Sequence, residues 1–281
     1  MINPSIKSVG FFYRPGNPKI AAWEKKICAW LKQKYPQVKL TEKKPQALIV
    51  LGGDGTILEA ARRYLSQNPL VVGLNLGHIG FLASVRKPKD FLSGLNLLIK
   101  GKYRITERMM LAAEVKRKNK IILKTYSLND IAVQSLLGVA EMEVGIDHQP
   151  VQYIRGTGVL VATATGSTAY NLSAHGPIVM PDIKCFIVTE LMDHNVPTPS
   201  IVVKRNREIY IKISDFRERG VLSITKTGEK VDVILSSDCE SAFPIKIGDE
   251  ITIRRSPRLV RFAEFEPHYF FRSLQEKFAF R

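Results

Sequence analysis

Cysteine is scarce in this 281-residue chain: Cys28, Cys185 and Cys239 are the only three, scattered and odd in number. No CxxC pair occurs, which argues against both a disulfide framework and a structural zinc site. Acidic residues are also few, 26 Asp and Glu against 42 Lys and Arg, for a formal net charge of +16. Long apolar runs are missing, since none approaches the roughly 20 residues that span a bilayer. The opening MINPSIKSVGFFYRPG lacks the apolar stretch of a secretory signal. A cytoplasmic protein with no membrane partner is therefore expected. No internal repeat or low-complexity linker is visible, and 45% hydrophobic residues can fill a sizeable core. The length favours two domains over one.

The positive charge is unevenly placed. Residues 1–106 hold 18 Lys and Arg against 5 Asp and Glu, and the remaining 175 residues hold 24 against 21. Such a surplus is compatible with a solvated face, a polyanion such as nucleic acid, or small phosphorylated ligands drawn in by the summed field. No recognised nucleic-acid motif accompanies it, so no nucleic-acid partner is expected.

The first third alternates strand and helix signals. Ser8 to Tyr13 is a short apolar run closed by Arg14-Pro15-Gly16, after which Ile20, Trp23, Ile27, Trp30 and Leu31 recur at helical spacing. Ala47 to Leu51 reads as a strand buried on both faces, followed by a helix over Ile57 to Leu65. Leu70 to Leu74 is a second buried strand, and Pro88 to Ile99 a helix that Gly101 ends. This order predicts an α/β, doubly wound, Rossmann-like N-terminal domain over residues 1–106. Beyond it, β-branched runs at Ile121–Leu128, Met142–Ile146, Gly158–Ala162, Glu208–Ile213, Val231–Leu235, Ile251–Arg255 and Leu259–Phe265 predict a β-rich C-terminal domain over 107–265. Tyr269 to Phe278 returns to helical spacing, and the tail, 266–281, is expected to pack back on the first domain.

Two segments carry chemistry. Gly52-Gly53-Asp54-Gly55-Thr56 joins the buried run ALIVL to a helix. Glycines admit close backbone approach, and a helix start offers free N–H groups and a positive dipole end, which suits phosphate. No Gly-Lys-Ser/Thr follows, so this is not a Walker A loop, and no GxGxxG opens the first helix. Asp54 repels phosphate unless it binds Mg²⁺ or accepts a proton, so the turn points to phosphoryl transfer. The plainer reading makes Asp54 a helix cap at Thr56 or Ile57. The second segment, Thr163-Ala164-Thr165-Gly166-Ser167-Thr168-Ala169-Tyr170-Asn171-Leu172-Ser173, offers hydroxyls and a close backbone to ribose, phosphate or a base edge. Tyr170 either stacks on a base or sits in the core of a Ser/Thr-rich turn.

Together these segments resemble the NAD kinase family. The likeness extends through Asn75-Leu76-Gly77-His78-Ile79-Gly80-Phe81-Leu82, Leu128-Asn129-Asp130, Ala162 to Ile178, and the aromatic, basic tail from Arg261 to Phe278. The glycine turn alone is shared with lipid kinases; TGSTAYNLSAHGPI is far more specific. The resemblance implies transfer of the ATP γ-phosphoryl group to the 2′-hydroxyl of the adenosine ribose of NAD. It implies Asp54 as base or orienting group and Gly52, Gly53, Gly55 and Thr56 on phosphate. On NAD it implies Asp54 and Gly55, Asn129 and Asp130 at the adenosine ribose, and Thr168, Ala169, Tyr170, Asn171, Leu172 and Ser173 around the adenine. Arg155 and Thr157 fall near the nicotinamide half, and Glu240 completes the set. Mg²⁺ or another divalent cation is expected with ATP, since the five histidines are scattered and suggest no protein metal cage. A homodimer or homotetramer is implied.

Four positions depart from the family pattern. Asp130 stands for Glu, Thr157 for Asp, Ala164 for Pro, and Asp238-Cys239-Glu240 for Asp-Gly-Gln. These read as tuning of NAD affinity and of the NAD against NADH preference. Two other functions are compatible with parts of the pattern: a lipid or sugar kinase with the same GGDGT turn, and a catalytically weak NAD(P)-binding regulator.

Overall fold

The computed structural model describes residues 3–78, 80–194, 198–217, 222–223, 230–238 and 241–278. The chain forms two compact units, Met1–Arg108 with Leu259–Arg281, and Met109–Arg258.

The first unit carries a parallel sheet of β1 (Ser8–Tyr13), β2 (Lys39–Leu40), β3 (Ala47–Gly52) and β4 (Leu70–Asn75). Strand β2 pairs with β1, β1 with β3 and β3 with β4, all in parallel. Every residue of β3 and β4 is buried, which is why these stretches read as unbroken apolar runs. One face, with Ala47, Ile49, Leu51, Val72 and Leu74, packs on Ile27 and Leu31 of α1 (Pro18–Lys34) and on Phe91, Leu95 and Leu98 of α3 (Phe91–Ile99). Side chains alternate along a strand, so Gly73 faces the other way. There a Cβ on Gly73 would meet Ile57 Cδ1 at 2.6 Å, which places α2 (Asp54–Arg63) on that opposite face. Helices on both faces make this a doubly wound layer.

Strand β5 (Arg104–Arg117) starts in the first unit and runs from Met109 on in the second, where with β6 (Lys120–Ser127), β7 (Asp130–Ser135), β8 (Ala140–Ile146) and β9 (Gln149–Thr163) it opens a mainly antiparallel sheet. They are followed by β10 (Cys185–Asp193), β11 (Ile201–Lys204), β12 (Ile209–Phe216), β13 (Leu222–Ser223), β14 (Lys230–Val231), β15 (Val233–Ser237), β16 (Ser241–Ile245) and β17 (Glu250–Glu264). The long β9 organises it: its first half pairs with β8, its second half with β7, and β10 lies along its other edge. Inward-facing Ile131, Val133, Val159, Val161, Phe186 and Val188 form the centre of the core. A short helix, α4 (Tyr170–Ser173), follows β9, and α5 (Tyr269–Phe278) closes the described chain.

Three boundaries differ from the sequence expectation. The helix expected from Ile57 begins at Asp54, because Gly53 supplies an extended N-cap (φ −92°, ψ −174°) directly after β3. The runs at 251–255 and 259–265 are one strand, β17. Its last residues belong to the first unit, not to the β-rich one, because Arg261 and Phe262 pair in parallel with Leu70 and Val71 of β4. No described helix is long and apolar enough to cross a membrane.

Candidate active site

The glycine turn sits at the carboxyl ends of the parallel strands, where ligands of open α/β sheets bind. Its glycines divide by role. A Cβ on Gly52 would lie 2.5 Å from Thr56 Oγ1, so this residue is small because the helix folds back on it. A Cβ on Gly53 or Gly55 would meet nothing within 4 Å, so their faces are open to a ligand. The first N–H groups of α2 are exposed to that same turn, apart from Thr56 and Ile57, which bond Gly53 O at 3.0 and 3.2 Å.

Asp54 is not the cap of its helix. The N-cap makes no side-chain hydrogen bond, and the Asp54 carboxylate instead accepts the Phe81 N–H at 2.7 Å and the Leu82 N–H at 3.2 Å. Burial raises its pKa above the ordinary carboxylate value, while the two N–H groups and the charge of Lys277 oppose that rise. The result is a fixed, poorly hydrated carboxylate. Gly80 makes the approach possible, because a Cβ there would lie 2.2–2.4 Å from the carboxyl atoms.

Helix α5 supports the loop that holds Asp54. Phe81 packs against Phe270 and Phe278 at 5.8 and 6.2 Å, and Lys277 Nζ stands 5.0 Å over its ring. Tyr269 donates to Gly80 O at 3.4 Å; burial, with the Asp54 charge second, pushes its hydroxyl up to about 12. Arg86 locks the helix in place: Nη2 donates to Tyr269 O and Ser273 Oγ, and Nη1 lies 2.8 Å from Glu276 Oε2. The tail thus packs on the first unit. Sequence reasoning missed the parts played by Phe81, Leu82, Tyr269 and Lys277. The family-like stretches Asn75–Leu82 and Arg261–Phe278 were the available signal.

In the second unit the structure gathers Asn129, Asp130 and the Thr163–Gly166 turn. Asp238 (φ 51°) organises them: its carboxylate accepts N–H groups from Leu128 (3.0 Å), Asn129 (2.8 Å) and Asp130 (3.3 Å), together with the Ser127 hydroxyl. Thr163 Oγ1 donates to Leu128 O at 2.6 Å and its N–H bonds Asn129 O at 2.8 Å. A Cβ on Gly166 would lie 2.2 Å from Asn129 O, so the 128–130 and 163–166 segments touch along their backbones. Asp130 is 2% exposed, and burial together with the nearby Asp238 charge raises it to about 7.

The remaining expected residues fall into three groups. Asn171 is fully buried, its amide bonded to Pro177 O (3.1 Å) and to the Thr189 hydroxyl (2.8 Å), so its side chain shapes the turn. Tyr170 is half-buried beside Ala132, Leu160 and Leu191 and donates to Gln134 Oε1 at 3.0 Å. Thr168, Ala169 and Leu172 are half-buried and Ser173 is exposed, so all four retain accessible surface. Arg155 is exposed on β9 and pairs with Glu141 at 3.2 Å, and Thr157 lies two residues along the same strand. Glu240 and Cys239 lie outside the described residues. Among the described residues no three His, Cys, Asp or Glu side chains gather as a metal cage.

The ATP-NAD kinase N-terminal domain matches residues 37–103 and the ATP-NAD kinase C-terminal domain residues 129–265. An NAD kinase from Carboxydothermus hydrogenoformans is 35% identical over 232 residues, 82% of this chain and 78% of that protein. One from Geobacter metallireducens is 30% identical over 291 residues, 97% of this chain and 98% of that protein. An NAD kinase from Archaeoglobus fulgidus, solved in complex with ATP, superposes with a TM-score of 0.76 at 25% identity, over 96% of this chain and 98% of that one. The fold is also that of yeast NADH kinase complexed with NADH, at a TM-score of 0.85 and 21% identity, over 99% and 88% of the two chains. On these matches the chain belongs to the NAD kinase family of phosphotransferases.

Proposed function

We propose that the chain transfers the γ-phosphoryl group of ATP to the 2′-hydroxyl of the adenosine ribose of NAD, giving NADP. The observation that carries this reading is the Asp54 carboxylate, free of any capping duty and held by two backbone N–H groups beside the open faces of Gly53 and Gly55. Phosphoryl transfer asks for positioning and charge neutralisation more than covalent chemistry. Asp54 orients the ribose hydroxyl and takes up its proton as the 2′-oxygen bonds to the γ-phosphorus and the bond from that phosphorus to the β,γ-bridging oxygen breaks, ADP leaving; a carboxyl whose pKa is raised favours that proton transfer. Gly52, Gly53, Gly55 and Thr56, at the positive end of α2, receive the phosphate. ATP enters as a complex with Mg²⁺ or another divalent cation, the metal being part of that substrate.

On the acceptor side, Asn129 and Asp130 hold the adenosine ribose, and the stretch Thr168 to Ser173 borders the adenine. Asn171 acts there through the turn it braces. Arg155 and Thr157 serve the nicotinamide half, together with Glu240. The rigid Asp238-centred turn supports this assignment, because a ribose contact needs a fixed Asn129 and Asp130. The proposal includes a homo-oligomer, consistent with exposed Tyr153, Met192 and Val202 on the second unit, and a cytoplasmic location. The test is purified protein with Mg²⁺, ATP and NAD, read out by an NADP-specific dehydrogenase. NADP formation is expected. Phosphorylation of a lipid or sugar but not of NAD, or dinucleotide binding without any ATP-dependent product, would contradict it.

A further inference from the structure

We infer that the uncovered edge of β1 is a docking cleft for an extended segment of a partner protein, one that carries Lys or Arg at alternate positions and binds as an added strand. The site is separate from the glycine turn and serves recruitment, not turnover.

The cleft exists because β2 is short. Strand β2 pairs with β1 only at Ser8 and Val9, and the Thr41 N–H ends that ladder on Val9 O at 2.9 Å. Backbone groups of successive strand residues point to opposite sides, so those of Phe11 and Tyr13 point to the same edge as those of Val9. Beyond Val9 no strand of the described residues lies there, whereas the other edge of β1 is paired with β3 as far as Tyr13. A row of uncovered N–H and C=O groups is a template for a further strand.

This edge borders a cavity of about 520 Å³. Helix α1 contributes Glu24 and Cys28 to its lining, and the end of α2 contributes Arg63 and Tyr64. Gly10 to Tyr13 offers four residues of edge, about 13 Å of strand. The two walls differ, and the side chains of an added strand alternate between them. Towards α1, the Tyr13 hydroxyl donates to Glu24 Oε2 at 2.7 Å, which leaves Oε1 for a cation. Towards α2, Phe12 meets Tyr64 edge-on at 6.1 Å and the Arg63 guanidinium lies 5.7 Å from the Phe12 ring, a surface that suits an aliphatic side chain. Leu40, 37% exposed, extends it.

Charge decides the kind of partner. Residues 1–106 hold 18 Lys and Arg but only five acids: Glu24, Glu42, Asp54, Glu59 and Asp90. Asp54 is bound to the Phe81 and Leu82 N–H groups and Glu59 is paired with Arg14. Two of the other three, Glu24 and the exposed Glu42, line this cleft. A basic segment is repelled by the surplus charge of the unit as a whole, so the local attraction of these two carboxylates selects the edge of β1.

The probe is the capped pentapeptide acetyl-Lys-Val-Lys-Val-Lys-amide, with acetyl-Glu-Val-Glu-Val-Glu-amide as control. Calorimetry on the full chain is expected to show saturable one-to-one binding of the first peptide and none of the second. Hydrogen exchange is expected to slow at the Phe11 and Tyr13 amides when the basic peptide is bound, which a diffuse charge contact would not do. Glu24→Gln combined with Glu42→Gln should weaken binding about fivefold or more, with the melting temperature and the rate of NADP formation unchanged. Absence of binding overturns the inference, as does binding that leaves both amides unprotected or the double variant unaffected. Equally tight binding of lysine amide alone also overturns it, because the cleft would then be a site for a small cation and not for a strand.

Discussion

Phe81 donates its backbone N–H to Asp54 Oδ2 at 2.7 Å, across 27 residues of chain, and its ring is covered by α5. The orientation of the proposed base is thereby set by a loop and a helix far from it in sequence. Gly80 is the contact point, since a Cβ at this residue would overlap the Asp54 carboxyl group. Gly80→Ala must push the carboxylate away, and a displacement of about 1 Å can cost on the order of 100-fold in rate. Steady-state kinetics should show a fall in kcat of that order, with circular dichroism unchanged. Near-normal kcat would mean that the orientation of Asp54 is of no consequence.

Asp130 predicts a pH dependence of stability. Its folded pKa is raised to about 7, against about 3.9 for a free Asp side chain. Between those values the folded chain binds more protons than the unfolded one, so stability falls as pH rises through the window and the loss is complete above about 7. Asp130→Asn removes the ionisation while keeping the side-chain volume. Its gain in melting temperature over wild type is expected to be larger at pH 8 than at pH 5, as thermal denaturation will show. An equal gain at both pH values would contradict the assignment.

The second unit has an ion pair with one buried member that should be sensitive to truncation. Asp249 is fully buried, and Arg117 meets it with Nε on Oδ1 and Nη2 on Oδ2, both at 2.7 Å; the Lys246 N–H adds a third bond at 2.9 Å. Asp249→Ala removes three hydrogen bonds and takes away the acceptor of the Lys246 N–H, while the guanidinium, about 30% exposed and still bonded to Pro244 O, falls back on water; the cost is about 1–3 kcal/mol. Urea denaturation should show a loss of that size. A loss below about 1 kcal/mol would place the pair with ordinary surface bridges.

Much of this was legible in the sequence, for physical reasons. β3 and β4 are buried at every position, so their apolar runs stood out, and α5 was readable from its spacing of Phe270, Leu274 and Phe278. The start of α2 was not readable, because Asp and Gly are poor helix formers and only the backbone direction leaving β3 puts Asp54 in the first turn. β17 reads as two strands because its middle, Arg254-Arg255-Ser256-Pro257-Arg258, is polar while its ends are apolar. The glycine turn was legible as a phosphate site, whereas the partners of Asp54 were not, since they are backbone N–H groups 27 and 28 residues away that no side-chain pattern marks, in a loop that Tyr269 holds from 189 residues on. Asp238 was hidden likewise: it reaches the 127–130 turn from more than 100 residues away.

The charge in residues 1–106 gives a kinetic expectation. The 18 cations against 5 anions of residues 1–106, the segment that carries the glycine turn, should speed the encounter with anionic nucleotides, and salt should screen it. Raising the ionic strength from about 0.01 to about 0.5 M with a non-coordinating salt should lower kcat/KM for ATP and for NAD. A flat response would make the surplus a solvated face without a steering role.

The central claim is tested most directly by following the phosphate itself. With ATP labelled at the γ position, wild-type protein should place the label on the 2′-oxygen of the adenosine ribose of NAD, as product mass spectrometry and phosphorus NMR will show. Asp54→Asn, which preserves shape but cannot accept the proton, should lower that transfer by about 10²–10⁴-fold with the fold intact. Label on another position or acceptor, or near-normal transfer by Asp54→Asn, would contradict the account.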